Sequence, residues 1–374
     1  CVRVCRVTPS HQRAIHPEGR FKMTSLYVRP AGLVYGADAR LAIDAGAGLP
    51  LAGGQVCWTM ALVSEDRGSS WTPRKVAALK ASRDRDVAGW VTRLSAPRKP
   101  VAGLAMNACH IMGIVNTTPD SFSDGGVNAD ADKAIENARA MAKAGAVLLD
   151  VGGESTRPGS DPVDEVEEWR RIEPVIATLV ADGLSVSCDT RKAAIMQKVT
   201  KAGVAMINDV SALTYDTDAV AAAASSGLPV CLMHAQGDPK TMQQKPEYGN
   251  VLLDVYDWLD KRIETVEASG IPRERIIADP GIGFGKTFDH NLELIAGLAL
   301  FHGLGVPVML GASRKGFIGS VTGEKVAANR QTGSAAVAML GAMSGVQFVR
   351  VHDVPATRHA LSMWRATTAQ HQDV

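Results

Sequence analysis

The sequence predicts an α/β fold, a (β/α)8 TIM barrel preceded by an N-terminal extension. Three observations carry that expectation. Eight short apolar runs alternate with eight amphipathic stretches over about 260 residues, which is the order and size of such a barrel. Glycine follows many of the amphipathic stretches (Gly145, Gly183, Gly203, Gly227, Gly270, Gly303, Gly345), where a helix C-terminus favours it. Aromatic residues are only 5% of the chain, Gly is 36 of 374 residues, and the hydrophobic fraction is 46%, so the core is aliphatic and close-packed, as parallel sheets are.

The elements follow in order. Strands are predicted over 111–116, 147–153, 185–190, 206–210, 229–234, 276–280, 307–313 and 346–353. Helices are predicted over 131–144, 164–181, 192–202, 218–225, 251–268, 291–301, 329–343 and from about 355 onward. An open doubly wound sheet is the rival arrangement of the same elements. The barrel is thereby placed at 109–374.

Residues 1–108 form the N-terminal extension, with no fold assigned. They carry scattered Arg, Pro and Gly and weak periodicity. The stretch 64–70 reads as a loop, 74–85 as a short basic helix, and Ala96-Pro97-Arg98-Lys99-Pro100 as a linker. Met23 is a candidate start, which would leave the preceding residues outside the native protein.

Charge separates the two parts. The whole chain has 40 Lys+Arg against 39 Asp+Glu. Residues 1–108 hold 16 of the bases and 7 of the acids, a net of +9; the remainder holds 24 against 32, a net of −8. Near-neutrality is a cancellation, so the exclusion of nucleic acid as a partner rests on the barrel's site and not on the total. Six cysteines without a CxxC pair give no zinc motif. Cys188 and Cys231 fall in strand candidates as small buried hydrophobes, and a reducing, cytoplasmic compartment is expected. No membrane span is expected. The longest uncharged stretch, 331–349, is rich in Ala and Gly and reads as a helix followed by a buried strand, although Gly341 and Gly345 match a membrane packing motif.

In such a barrel the chemistry gathers at the C-terminal ends of the strands. Here the eight ends carry Asn116, Asp150, Asp189, Asn208-Asp209, His234, Asp279, Ser313-Arg314-Lys315 and Arg350-Val351-His352-Asp353. Eight polar ends on one face imply a polar ligand. Asp189, Asn208 and Asp279 suit a planar edge with several N–H donors and acceptors. Arg314, Lys315, Arg350 and His352 gather cationic groups at the last two strands, where phosphate binds in many barrels. Asn116 near them would support a hard ion such as Mg2+, which keeps water and substrate phosphate as most of its ligands. The residues alone therefore point to a planar polar heterocycle carrying phosphate.

Plainer readings stand beside these. Asp189 would serve as a helix cap, Asp209 as a structural partner, and His234 and His290 as satisfied structural histidines. Asp353 would simply start the last helix, and Arg191 and Lys192 would be solvated. Pro280-Gly-Ile-Gly-Phe-Gly-Lys-Thr287 nearly spells a P-loop, but Pro280 replaces its first glycine and the strand before it is the sixth. Two long loops, 117–130 and 154–161, would cover the site, with Phe122 and Pro158 as apolar contacts and Thr156 and Arg157 as polar ones.

These motifs resemble the dihydropteroate synthase family. The matching stretches are Ile114-Val-Asn-Thr-Thr-Pro-Asp-Ser-Phe-Ser-Asp-Gly-Gly126, Gly152-Gly-Glu-Ser-Thr-Arg-Pro-Gly159, Asp189-Thr-Arg-Lys192, Ile207-Asn-Asp-Val210, Met233-His-Ala-Gln-Gly237, Asp279-Pro-Gly-Ile-Gly-Phe-Gly285, Ser313-Arg-Lys-Gly316 and Arg350-Val-His-Asp353. The resemblance spans about 109–365. It implies a transferase of folate biosynthesis that joins p-aminobenzoate to 6-hydroxymethyl-7,8-dihydropterin diphosphate, giving 7,8-dihydropteroate and pyrophosphate. By that resemblance Asp189, Asn208, Met233, Asp279 and Lys315 contact the pterin. Asn116, Arg350 and His352 take the diphosphate, with Mg2+ at Asn116. Phe122, Thr156, Arg157, Pro158, Phe284 and Ser313 surround p-aminobenzoate. The resemblance also implies a homodimer built on late helices such as 329–343. A pterin-binding methyltransferase of the corrinoid type and a non-catalytic pterin-binding protein are the alternatives. The first would not need the anion groups of the last two strands, and the second would not need the loop chemistry.

Overall fold

A computed structural model describes residues 26–117, 126–155, 160–237 and 242–368. Eight strands run parallel around the barrel: β5 (His110–Asn116), β6 (Leu148–Gly152), β7 (Val186–Asp189), β8 (Met206–Asp209), β9 (Val230–Met233), β10 (Ile276–Asp279), β11 (Met309–Leu310) and β12 (Phe348–Val351). Their hydrogen-bonded order is β10-β9-β8-β7-β6-β5-β12-β11. A parallel bridge from Ala278 to Val308, with Ala278 N donating to Pro307 O at 2.9 Å, brings β10 beside β11 and closes the ring. The open-sheet alternative is thereby excluded. β11 is much shorter than the 307–313 expected, because only Met309 and Leu310 pair with β12.

The helices stand outside the ring: α4 (Gly126–Ala144), α5 (Glu165–Ala181), α6 (Ala193–Ala202), α7 (Ala219–Ser226), α8 (Val251–Ala268), α9 (Phe288–Ala296), α10 (Gly316–Thr322), α11 (Gln331–Met343) and α12 (Val354–Thr368). The sequence reading missed α10, a two-turn helix closed by Gly323 at φ 77°. It also placed α9 too late. Thr287 caps that helix in a reciprocal box with His290, and Gly297 ends it before a 3-10 turn over Leu298–Leu304. Stretch 331–349 becomes α11 and the start of β12, and among the described residues no helix is long and apolar enough to cross a membrane.

Residues 26–108 are folded. β1 (Tyr27–Val34), β2 (Leu49–Pro50), β3 (Cys57–Ser64) and β4 (Thr72–Lys75) make an antiparallel sheet around β3, with α1 (Gly36–Asp44), α2 (Val76–Lys80) and α3 (Arg85–Ser95) beside it. The basic helix expected over 74–85 is instead the end of β4, the short α2, and the entry to α3. Asp84 stops any continuous helix there by capping α3 through Asp86 N at 2.8 Å. The sheet packs on the barrel through rings. Trp90 stacks on Tyr256 of α8 at 5.2 Å, and Tyr27 meets Tyr256 edge-on at 6.2 Å. Gly303 is small for this reason: a Cβ there would lie 2.1 Å from the Trp90 ring.

The supposed linker is anchored. Arg98 donates to Ala96 O, Arg93 O and His302 O at 2.9, 2.7 and 2.8 Å. Just after it, Val101 and Met106 plug the lower mouth of the barrel. There they pack with Met112, Leu148, Met206, Cys231, Ile277, Met309 and Phe348.

Candidate functional site

The polar strand ends converge on a cleft of about 880 Å³, lined by Asn116, Asp189, Phe284, Ser313, Lys315, Arg350 and His352 among others. Its floor is a charge cluster. Arg350 of β12 is pinned by two carboxylates: Nε donates to Asp150 Oδ2 at 2.6 Å and Nη2 to Asp189 Oδ2 at 2.7 Å. Asp150 Oδ2 also accepts from Asn208 Nδ2 at 2.9 Å, and its other oxygen accepts from the Ser187 hydroxyl. Small residues make room for this. A Cβ on Gly152 would lie 3.2 Å from the Asp189 side chain, and one on Gly311 would lie 3.3 Å from Asp279 Oδ2.

Two acids and one base leave an excess of negative charge in a dry place. Burial pushes the Asp189 carboxyl up to about 7; Arg350 opposes the shift, and Asp150 and Asp209 reinforce it. Burial works against the Arg350 cation, but Asp150 and Asp189 more than offset it and raise its affinity for the proton. Asp279 is also raised, by burial first, with Lys315 opposing; its Oδ1 accepts from Gly281 N at 2.7 Å. Lys315 is lowered to about 8 by burial, and its ammonium lies 4.5 Å over the Phe284 ring and donates to Ile282 O. Such displaced values at one cleft mark a functional site.

The remaining predicted residues fall as follows. Asn208 and Met233 are buried on the floor, and Asn116 is half-buried at the end of β5. Ser313 Oγ accepts from His352 N at 3.2 Å and stands 3.1 Å from His352 Nδ1, so the two act as one group. Phe122, Thr156, Arg157 and Pro158 lie outside the described residues.

Several plainer readings hold. Asp209 ties its own turn through Ser211 N, Ser211 Oγ and Leu213 N. His234 sits 2.9 Å from Lys286 Nζ and is lowered to about 2 by burial, so it stays neutral. His290 belongs to the α9 cap. The near P-loop is a turn with Gly281, Gly283 and Gly285 at φ 68°, 83° and 62°, and its Lys286 is buried against His234 O and Phe284 O.

Others need correction. Asp189 caps no helix, since Lys192 holds the cap position of α6. Arg191 and Lys192 are not solvated: both bond Glu154, and Lys192 also bonds the fully buried Glu168. Asp353 does more than start α12, because it holds Arg314 through Oδ2 at 2.9 Å. The reading by residue type also passed over Asp150 as a site residue. Its signal was present: an Asp inside the apolar run Leu148-Leu149-Asp150-Val151, on the inward parity of β6.

A family model described as pterin binding enzyme matches residues 112–352. Dihydropteroate synthase of Escherichia coli K12 is 43% identical over 265 residues, 71% of this chain and 93% of that protein. The Neisseria meningitidis serogroup B enzyme of the same name is 48% identical over 261 residues, 68% and 92% of the two chains. The chain belongs to the dihydropteroate synthases, a family of pterin-binding enzymes. Solved structures agree. Xanthomonas albilineans dihydropteroate synthase with 4-aminobenzoic acid superposes with a TM-score of 0.69 at 44% identity, covering 73% of this chain and 99% of that one. The same enzyme in complex with 7,8-dihydropteroate gives 0.67 at 42% identity, covering 73% and 100%. Membership makes this chain a transferase of folate biosynthesis on a TIM barrel. The matched residues of the Escherichia coli enzyme fill 93% of its length, which leaves no room there for a counterpart of residues 26–108.

Proposed function

We propose that the cleft condenses p-aminobenzoate with 6-hydroxymethyl-7,8-dihydropterin diphosphate, with its residues in the following roles. The observation that carries the reading is the buried Asp150–Arg350–Asp189 cluster beside Asn208 and the Asp279–Lys315 pair. Asp189, Asn208, Asp279 and Lys315 bind the pterin edge, and Met233 packs on its face. Arg350 and His352 stand at the diphosphate end. Phe284 and Ser313, which lies beside His352, close the p-aminobenzoate side, together with Phe122, Thr156, Arg157 and Pro158.

As the C–O bond to diphosphate breaks, positive charge grows on the pterin methylene and ring, and negative charge on the leaving group. Ionised Asp189 and Asp279 stabilise the first, and Arg350 and His352 the second. The neutral aniline nitrogen attacks the methylene, and the anilinium so formed loses one proton to water or to the departing pyrophosphate. No side chain has to act as a strong base, and no covalent intermediate with the protein forms.

Mg2+ fits the donor set at this end. Asn116 offers a neutral carboxamide oxygen at the cleft. That pattern suits an ion that keeps water and phosphate oxygens as its main ligands. When bound, it would neutralise the departing diphosphate.

The assembly is a homodimer through α11 and α12, where Leu340 and Met363 stand 47% and 64% exposed. The reaction belongs in the cytoplasm, which the free thiols of Cys57, Cys109, Cys188 and Cys231 support. We further divide the chain into a barrel over 109–374 and an extension over 1–108. The deciding experiment is pyrophosphate release from the pterin diphosphate with Mg2+, with and without p-aminobenzoate. Release that depends on p-aminobenzoate supports the reading, and its absence with folded protein overturns it.

A further inference from the structure

The turn between β3 and β4 is folded upon itself. Ser64 Oγ donates to Asp66 Oδ1 at 2.8 Å and accepts from Gly68 N at 2.8 Å. Asp66 also accepts from Ser70 N at 2.9 Å and Ser70 Oγ at 2.6 Å, and these bonds hold its carboxyl down to about 2. The turn keeps Arg67 at φ 55°, a left-handed backbone that a residue with a Cβ adopts only when its surroundings impose it. That conformation aims the guanidinium at the barrel. Nη2 donates to Asp254 Oδ1 at 2.9 Å and Nη1 to Asp257 Oδ2 at 3.0 Å, so one fork spans two acids on one face of α8.

The two acids then diverge. Asp257 turns back to the extension and accepts from the Tyr27 hydroxyl at 2.8 Å. Asp254 turns towards the site: its Oδ2 accepts from Gly249 N at 2.8 Å and Asn250 N at 3.1 Å, at the end of the loop that joins β9 to α8. Next in that loop, Tyr248 donates its hydroxyl to Gly285 O at 2.7 Å. Gly285 follows Phe284, the ring beneath Lys315. Gly68 seats the turn against this root, since a Cβ on it would lie 2.7 Å from Asn250 Nδ2.

We propose that Arg67 is a positioning residue for the substrate cleft: through Asp254 it fixes the root of the β9–α8 loop, and through Tyr248 the wall that carries Phe284 and Lys315. The role belongs to the extension, which the Escherichia coli relative has no room for. The inference rests on the pterin reading of the cleft, and one of its two tests works without substrate.

Amide hydrogen exchange at Gly249 and Asn250, whose N–H groups donate to Asp254, reads the clamp directly. R67M should speed it at least about threefold there relative to β6 and β7, and unchanged exchange overturns the proposal. The second test is kinetic. R67M and D254N should each raise KM for the pterin diphosphate about three- to tenfold, with kcat per folded molecule within twofold. D257N meets the same arginine but not the loop. It should lower the melting temperature and leave both KM values within twofold. Loss of stability in R67M with both KM values unmoved would make the contact merely structural and end the proposal. Wild-type protein that releases no pyrophosphate would refute the substrate reading instead, and the exchange result would still decide the clamp.

Discussion

Replacing Asp150 by Asn tests the charge logic of the floor with almost no change of shape. The amide nitrogen can face the Ser187 hydroxyl, which also accepts, while the remaining oxygen keeps Arg350 and Asn208. What is lost is one negative charge. Asp150 helps to hold the Asp189 carboxyl at about 7, and it shares Arg350 with that residue. Two carboxylates gripping one guanidinium stand roughly 5 Å apart, which at an effective dielectric of about 20 is worth about 3 kcal/mol, or about two pH units. Allowing for relaxation, the Asp189 carboxyl should fall by about one to two units in D150N. If ionised Asp189 stabilises the electron-poor pterin, the acid limb of kcat/KM for pterin diphosphate should lie near pH 7 in the wild type. It should move down by the same amount in the variant, while the plateau drops because Arg350 is less firmly held. The assay is p-aminobenzoate-dependent pyrophosphate release from pH 5 to 9 at limiting pterin diphosphate. An acid limb that stays in place, or moves up, would refute the claim that these two carboxylates share one field.

Arg350→Ala should raise KM for pterin diphosphate at least tenfold more than KM for p-aminobenzoate; equal rises in steady-state kinetics would remove Arg350 from the diphosphate end. Asp189 stands above the unfolded carboxylate value of about 4, so its contribution to stability is complete below that pH and lost as pH rises through about 7. Asp189→Asn should therefore flatten the fall of unfolding free energy between pH 4 and 7 in urea titrations, and an unchanged slope would contradict the buried, raised carboxyl. Gly281→Ala places a methyl 1.8 Å from His234 O at φ 68° and should cost about 3 kcal/mol or more in urea unfolding, with loss of activity. Trp90→Ala removes a ring that is 2% exposed and should destabilise by about 3–5 kcal/mol, with the loss felt by the barrel as well as the sheet.

The barrel was legible because its signals are local and repeated. Each strand carries its own apolar run, each helix its own period, and the inward parity of β7, β8, β10 and β12 puts Asp189, Asn208, Asp279 and Arg350 on one floor. Asp150 was harder to read, since its role needs partners on three other strands: Arg350, Asn208 and Ser187 are 200, 58 and 37 residues away. Lys192 and Arg191 looked solvated for the same reason. Nothing adjacent in sequence shows that Glu154 and Glu168 meet them beneath the surface. The extension was least legible. β1 pairs with β3 across the helix α1, and its apolar residues face rings of α8 more than 200 residues later, so no window of sequence contains both halves of the contact.

The opposite charges of extension and barrel invite the view that electrostatics joins them, but the contacts argue otherwise. Among the described residues, Arg93 and Arg98 donate across the seam to the carbonyls of Gly303 and His302, and Arg67 donates to the carboxylates of Asp254 and Asp257. The Arg67 side chain is 38% exposed, and a pair so wetted contributes at most about 1 kcal/mol. Tyr27 and Trp90 are 0% and 2% exposed and both meet Tyr256, and burying two such rings at about 25 cal/mol per Å² is worth several times more. The aromatic seam therefore holds the extension to the barrel. The arginine fork adds little to that adhesion, yet its directional bonds fix where the 64–70 turn sits on α8. A contact of small energy and strict geometry is the kind that sets a loop.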